Sequence, residues 1–117
     1  MKPLSILLFV LFSAFSMNAQ QSIEGIWDTG KENTKIKIKK TNNEIEGTIL
    51  SSDNSKAPIG RLMIKEVIEK NGVFKGKLFA IKKGKWVDAV FNRKGDTLNI
   101  TVSFGWMSKT VKWDLAH

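Results

Sequence analysis

The chain has 117 residues, a formal net charge of +8, no cysteine and one histidine, His117, at its last position. This length predicts a single domain, and the lack of cysteine excludes disulfide bonds. Nucleophilic catalysis needs a positioned base, and metal sites need histidine, cysteine or clustered carboxylates. The composition therefore predicts a protein that is not an enzyme, with no catalytic residues, no metal site and no cofactor.

The first element in chain order has the pattern of an export signal. Lys2 provides a positive start, residues 4–15 are almost continuously apolar, and Ala19 is a small residue at the expected cleavage position. The apolar run is shorter than the about 20 residues that a membrane-spanning helix needs. We expect residues 1–19 to be a signal peptide and residues 20–117 to be one exported domain, periplasmic or extracellular and not membrane-spanning.

The rest of the chain has the pattern of short strands separated by turns. Apolar and polar residues alternate from Lys35 to Thr41 and from Thr97 to Phe104, which is the period of a half-buried strand. The pairs Asn42-Asn43 and Asn71-Gly72 suit the left-handed backbone of a tight hairpin turn. The predicted strands are 23–29, 35–41, 44–50, 61–70, 73–81, 85–93, 97–104 and 109–115, with a loop at 51–60.

These strands define the expected fold class. About eight short strands at regular spacing, with no segment of helical period, predict an all-β antiparallel meander that closes into a small calycin- or lipocalin-like barrel. Closure removes exposed strand edges, and eight strands enclose room for side chains or for one small ligand.

Glycine and tryptophan recur in a definite order along the chain. The order is Gly25-Ile26-Trp27, Gly47, Gly60, Asn71-Gly72, Gly76, Gly84-Lys85-Trp86, Gly95-Asp96, Gly105 and Trp113. In this order the chain resembles the small exported bacterial proteins of the domain of unknown function 2147 family, and the resemblance implies a calycin-like barrel and no established activity. Members of that family often carry Arg directly after the last Trp, where it can stack on the first-strand Trp. This chain has Asp114 there.

Three candidate ligand-binding residues lie on predicted strands. Trp27 can plug one end of a barrel, because its large ring fills space between strands. Trp86 and Asp88 lie in the strand at 85–93. If Trp86 and Val90 point inward, Asp88 also points inward and needs a partner there. If Val87, Ala89 and Phe91 point inward instead, Asp88 faces solvent. We favour this second arrangement because that face is wholly apolar.

Trp106 and Met107 are the remaining candidates, in a turn predicted at 105–108 beside Gly105. Gly105 already supplies the turn geometry, so the indole has no local backbone role. If the pair is exposed, it would line a barrel mouth or contact a partner. If it folds back, it would cover the core.

Two functions follow from the barrel and its charge. The first is a non-enzymatic module that binds a small apolar or amphipathic molecule, or an anionic envelope component. The alternative is a side-chain-filled structural or interaction protein of the cell envelope, a stress factor or inhibitor without a small-molecule ligand. No specific nucleic-acid binding is expected, because the lysine-rich strand faces lack aromatic residues. A cavity of about 300 Å³ or more would favour the first function.

Overall fold

The computed structural model describes residues 22–116, so the predicted signal peptide and His117 lie outside the described residues. This part of the chain is all-β. The strands are β1 (Gly25–Asp28), β2 (Lys35–Thr41), β3 (Glu44–Ser51), β4 (Leu62–Lys70), β5 (Val73–Ala80), β6 (Lys85–Lys94), β7 (Thr97–Phe104) and β8 (Met107–Leu115).

Consecutive strands pair antiparallel, and β8 returns to pair with β1, so the sheet closes into an eight-stranded barrel. The predicted all-β meander and its closure are confirmed. Between residues 22 and 116 there is no helix long and apolar enough to cross a membrane.

The turn chemistry explains the two hairpins that the sequence predicted. Asn42 and Asn43 have φ values of 52° and 67°, and Asn71 and Gly72 have 54° and 79°. Positive φ at both central residues is the geometry whose twist matches that of the flanking strands. All strand boundaries agree with the prediction to within two residues, and β8 begins at Met107, so its turn is only Gly105 and Trp106.

The alternating pattern determines which side chains fill the barrel. Leu98, Ile100 and Val102 of β7 are buried, and Ile100 lies opposite the buried Phe91 of β6. The intervening residues of β7 are not buried. Alternation of this kind places every second side chain inside, as a half-buried strand requires.

Because neighbouring strands run in opposite directions, their connections alternate between the two barrel ends. One end, called here the open end, carries the connections after β1, β3, β5 and β7. The other, the closed end, carries the turns after β2, β4 and β6 together with the two ends of the described chain.

Trp27 blocks the interior toward the closed end. It is fully buried, and its indole N–H donates a hydrogen bond of 2.9 Å to the Ile23 carbonyl. The Arg93 guanidinium lies 5.2 Å from the centroid of the Trp27 ring and also donates to the Ser22 carbonyl at 2.9 Å. The cation over the first-strand Trp therefore comes from the end of β6 and not from the position after Trp113.

Candidate functional site

The barrel encloses a cavity of about 700 Å³ that reaches the open end. Small-molecule sites in proteins span about 300–1,000 Å³, so this volume is within that range. Its wall is mainly apolar and is built from inward residues of most strands. These are Ile36, Met63, Leu78, Val87, Val102, Phe104, Val111 and Trp113.

The cavity lies toward the open end because side-chain size is uneven along the barrel axis. Toward the closed end, the inward positions hold Trp27, and Phe74 lies directly opposite Phe91. Toward the open end, the corresponding inward positions of β6 and β7 hold Val87 and Val102. Large rings fill the interior toward the closed end, whereas the short branched side chains of Val87 and Val102 leave space toward the open end, where the Phe104 ring forms part of the cavity wall.

Lysines surround the mouth of the cavity. The lining there includes Lys31, Lys82, Lys83 and Lys109, with Glu32 as its only carboxylate among the described residues. Lys112 also contributes to the lining, but it pairs with Asn99 of β7 in the outward register of β8, away from the mouth.

Two of these lysines have a definite position. Lys109 pairs with Val102 of β7, so it belongs to the inward register of β8 near the mouth. The Lys83 ammonium lies 4.9 Å from the centroid of the Phe104 ring. Within residues 22–116, ion pairs join Lys65 to Glu66 and Lys77 to Asp88, so no mouth lysine has a carboxylate partner there. The site combines an apolar interior with an unneutralised cationic rim, which complements an amphipathic anion.

Trp86 and Asp88 lie on the outer surface of the barrel. Val87, Ala89 and Phe91 are buried and face inward, so the arrangement favoured from the sequence is confirmed. Trp86 packs edge-on against Phe79 at 5.4 Å between ring centroids.

Asp88 forms an exposed ion pair with Lys77 on the neighbouring strand β5. The hydrogen bond to Asp88, reinforced by its negative charge, raises the pKa of Lys77 above its ordinary value of 10.5. A raised lysine pKa adds stability that is present below pH 10.5 and is lost as the pH rises through the raised value. Solvent screens this exposed pair, so it adds little to the stability of the barrel.

Trp106 and Met107 lie at the open end, and neither folds back over the core. Trp106 is 92% exposed and Met107 is 54% exposed. Met107 contributes to the cavity lining, whereas Trp106 stands at the turn between β7 and β8. Of the five candidate residues, the structure brings Trp106 and Met107 together at the mouth. It places Trp27 toward the closed end and the remaining two outside.

Sequence reasoning missed the lysines and Phe104 at the mouth. Lys109 lies two residues before Val111 and four before Trp113, so the period of the strand already placed it on the inward face. A predicted turn that extended to Ser108 hid this, because it put Lys109 at the strand end. The stacking of Lys83 on Phe104 joins the turn after β5 to the end of β7 and has no local sequence signal.

Among residues 22–116 no group of three or more His, Cys, Asp or Glu side chains could hold a metal ion. Comparison with protein-family models, curated proteins and solved structures finds no significant match to the chain. The resemblance to the domain of unknown function 2147 family therefore stays a prediction.

Proposed function

We propose that this chain is an exported, non-enzymatic binding module for one small amphipathic molecule. The apolar part of the ligand lies within the barrel, and an anionic head group lies at the lysine-bearing mouth. The observation that carries the proposal is the cavity of about 700 Å³ with a mainly apolar wall. A side-chain-filled structural barrel, the alternative considered from the sequence, would have no such space.

The charges at the mouth support an anionic head group. Four lysines and one glutamate line the mouth, and these lysines lack carboxylate partners within the described chain. A buried apolar wall contributes about 25 cal/mol per Å² of apolar ligand surface removed from water. The lysines add orientation and a preference for negative charge, because electrostatic complementarity acts mainly on specificity.

A pair of matched fluorescent probes tests the two halves of this proposal. The anionic probe 1-anilinonaphthalene-8-sulfonate and the neutral probe N-phenyl-1-naphthylamine share an aromatic body and differ by the sulfonate. We expect each to bind with one-to-one stoichiometry and increased fluorescence, and the anionic probe to bind more tightly. The Lys109→Gln variant should bind the anionic probe about two- to fivefold more weakly than the wild type and should bind the neutral probe with unchanged affinity.

Lys75→Gln is the matched control, because Lys75 is exposed on β5 opposite Val90, outside the cavity. It should change the affinity of neither probe. Equal affinity for the two probes, with no effect of Lys109→Gln, would contradict the anionic head group but keep the apolar site. Absence of one-to-one binding by either probe would contradict the binding function and favour the structural alternative.

A further inference from the structure

The exposed apolar side chains of the barrel are concentrated at its open end. Six large apolar residues are exposed in the described chain, and two of them, Ile68 and Val73, lie near the closed end. The other four flank or form the connections of the open end. They are Leu50, Ile59, Trp106 and Met107.

Trp106 is the most extreme of these residues. It is 92% exposed, at the tip of a two-residue hairpin turn, and no packing of the barrel requires an indole there. Tryptophan prefers the interface between water and lipid, because its ring is apolar and its N–H is polar. Ile59 is 76% exposed in the connection between β3 and β4, which belongs to the same end.

Positive charge is concentrated at the same end. The stretches 29–34, 52–61, 81–85 and 105–109 hold seven lysine or arginine residues and two carboxylates. The corresponding stretches at the closed end are 22–24, 40–44, 69–73, 93–97 and 114–116. These hold four basic residues and five carboxylates. Three of the four connections of the open end carry at least one cation, and Lys109 lies near the start of β8 beside the fourth, so the charge surrounds the mouth.

We propose that the open end of the barrel docks on an anionic lipid bilayer, with Trp106 entering the head-group region and the surrounding lysines facing the lipid phosphates. Charge complementarity selects a bilayer surface over a second copy of the chain, whose open end would carry the same positive charge. Docking in this orientation places the cavity mouth directly at the lipid surface. Bilayer docking requires no ligand in the cavity, so this inference and the proposed function can fail separately.

Vesicle co-sedimentation tests the docking surface, with all variants produced with the same N-terminus. We expect binding to vesicles of phosphatidylcholine and phosphatidylglycerol, little binding to pure phosphatidylcholine, and weakening as ionic strength rises. Trp106→Ala should weaken vesicle binding about tenfold or more. The double variant Lys56→Gln/Lys85→Gln, which removes two rim cations outside the cavity lining, should weaken it about fivefold for each lysine removed.

Matched variants at the closed end provide the control. Ile68→Ala and the double variant Lys70→Gln/Lys94→Gln remove the same kinds of side chain and should leave vesicle binding unchanged. Brominated lipids should quench the fluorescence of the wild type more than that of Trp106→Phe, which reports the other tryptophans. Trp106→Ala should also keep the wild-type unfolding midpoint and the wild-type affinity for N-phenyl-1-naphthylamine.

Two results would overturn the proposal. One is equal loss of vesicle binding in the open-end and closed-end variants, which would mean that net charge alone acts. The other is no binding of the wild type to anionic vesicles, and a self-association that Trp106→Ala abolishes would then make the tip a contact between copies of the chain.

Discussion

Trp27 shows how contacts from separate parts of the chain combine at one residue. Its indole donates to the Ile23 carbonyl, and Arg93 from β6 covers its ring while also holding the Ser22 carbonyl. The segment before β1 is thereby tied to the barrel wall. Sequence order could indicate Trp27 as an end plug, but the partner Arg93 is 66 positions away and only the closed sheet brings the two together.

Replacing Trp by Ala should cost much more stability at the closed end of the barrel than at the open end. Trp27→Ala removes a fully buried ring and a buried hydrogen bond, so it should lower the free energy of unfolding by about 3–5 kcal/mol. Trp106→Ala removes an exposed ring and should cost less than about 0.5 kcal/mol. Urea unfolding of the two variants measures this, and a large loss for Trp106→Ala would assign that indole to the core.

At the scale of single strands, the sequence predicted where strands form and which side chains face inward better than it predicted what those side chains do. Strict alternation identified β2 and β7, and the Asn-containing turns defined the two hairpins that join β2 to β3 and β4 to β5. In β6, Trp86 and Val87 are neighbouring apolar residues, but only the face of Val87 is wholly apolar, and this was enough to predict which face points inward. The packing of Trp86 on Phe79, outside the barrel, was not predicted, because it depends on the register with β5.

The pairing of β4 with β5 depends on a glycine. β4 is irregular between Lys65 and Ile68, where Glu66 has a φ of 55°, and it approaches Gly76 of β5 closely. A Cβ at position 76 would lie 2.8 Å from the Val67 Cγ2 and 2.9 Å from the Lys65 carbonyl oxygen. The second contact is with backbone, so a side-chain rotation cannot relieve it.

Gly76→Ala should therefore destabilise the barrel by about 1–3 kcal/mol, the usual cost of overpacking. Lys75→Ala, one residue earlier on the exposed face of the same strand, should change stability by less than about 0.5 kcal/mol. Chemical denaturation compares the two. A neutral Gly76→Ala would mean that β4 shifts easily away from β5.

At the scale of the whole molecule, the sequence predicted the barrel but not its cavity. Strand count and alternation can be read locally from the sequence, and they were sufficient to predict the closed meander. The empty volume depends on which inward residues of several strands meet at one level of the barrel. Phe74 meets Phe91 toward one end, whereas Val87 and Val102 leave space toward the other. That information lies in the register, which a single sequence does not give.

Two inward positions of β7, two residues apart, provide the final test of this uneven interior. Val102 lines the cavity, whereas Ile100 is fully buried and is not part of the lining. Val102→Phe adds the larger volume, yet it should change the free energy of unfolding by less than about 0.5 kcal/mol, because the new ring enters empty space. Ile100→Phe adds less volume and should cost about 1–3 kcal/mol, because it enters a packed core.

Binding should respond in the opposite order. Val102→Phe fills part of the cavity and should weaken both naphthalene probes, whereas Ile100→Phe should bind them as the wild type does wherever it remains folded. Denaturant unfolding and probe titration give the free energy of unfolding and the probe affinity of each variant. If Val102→Phe were as costly as Ile100→Phe and left probe binding unchanged, the open half of the barrel would be packed in solution and could not accommodate a ligand.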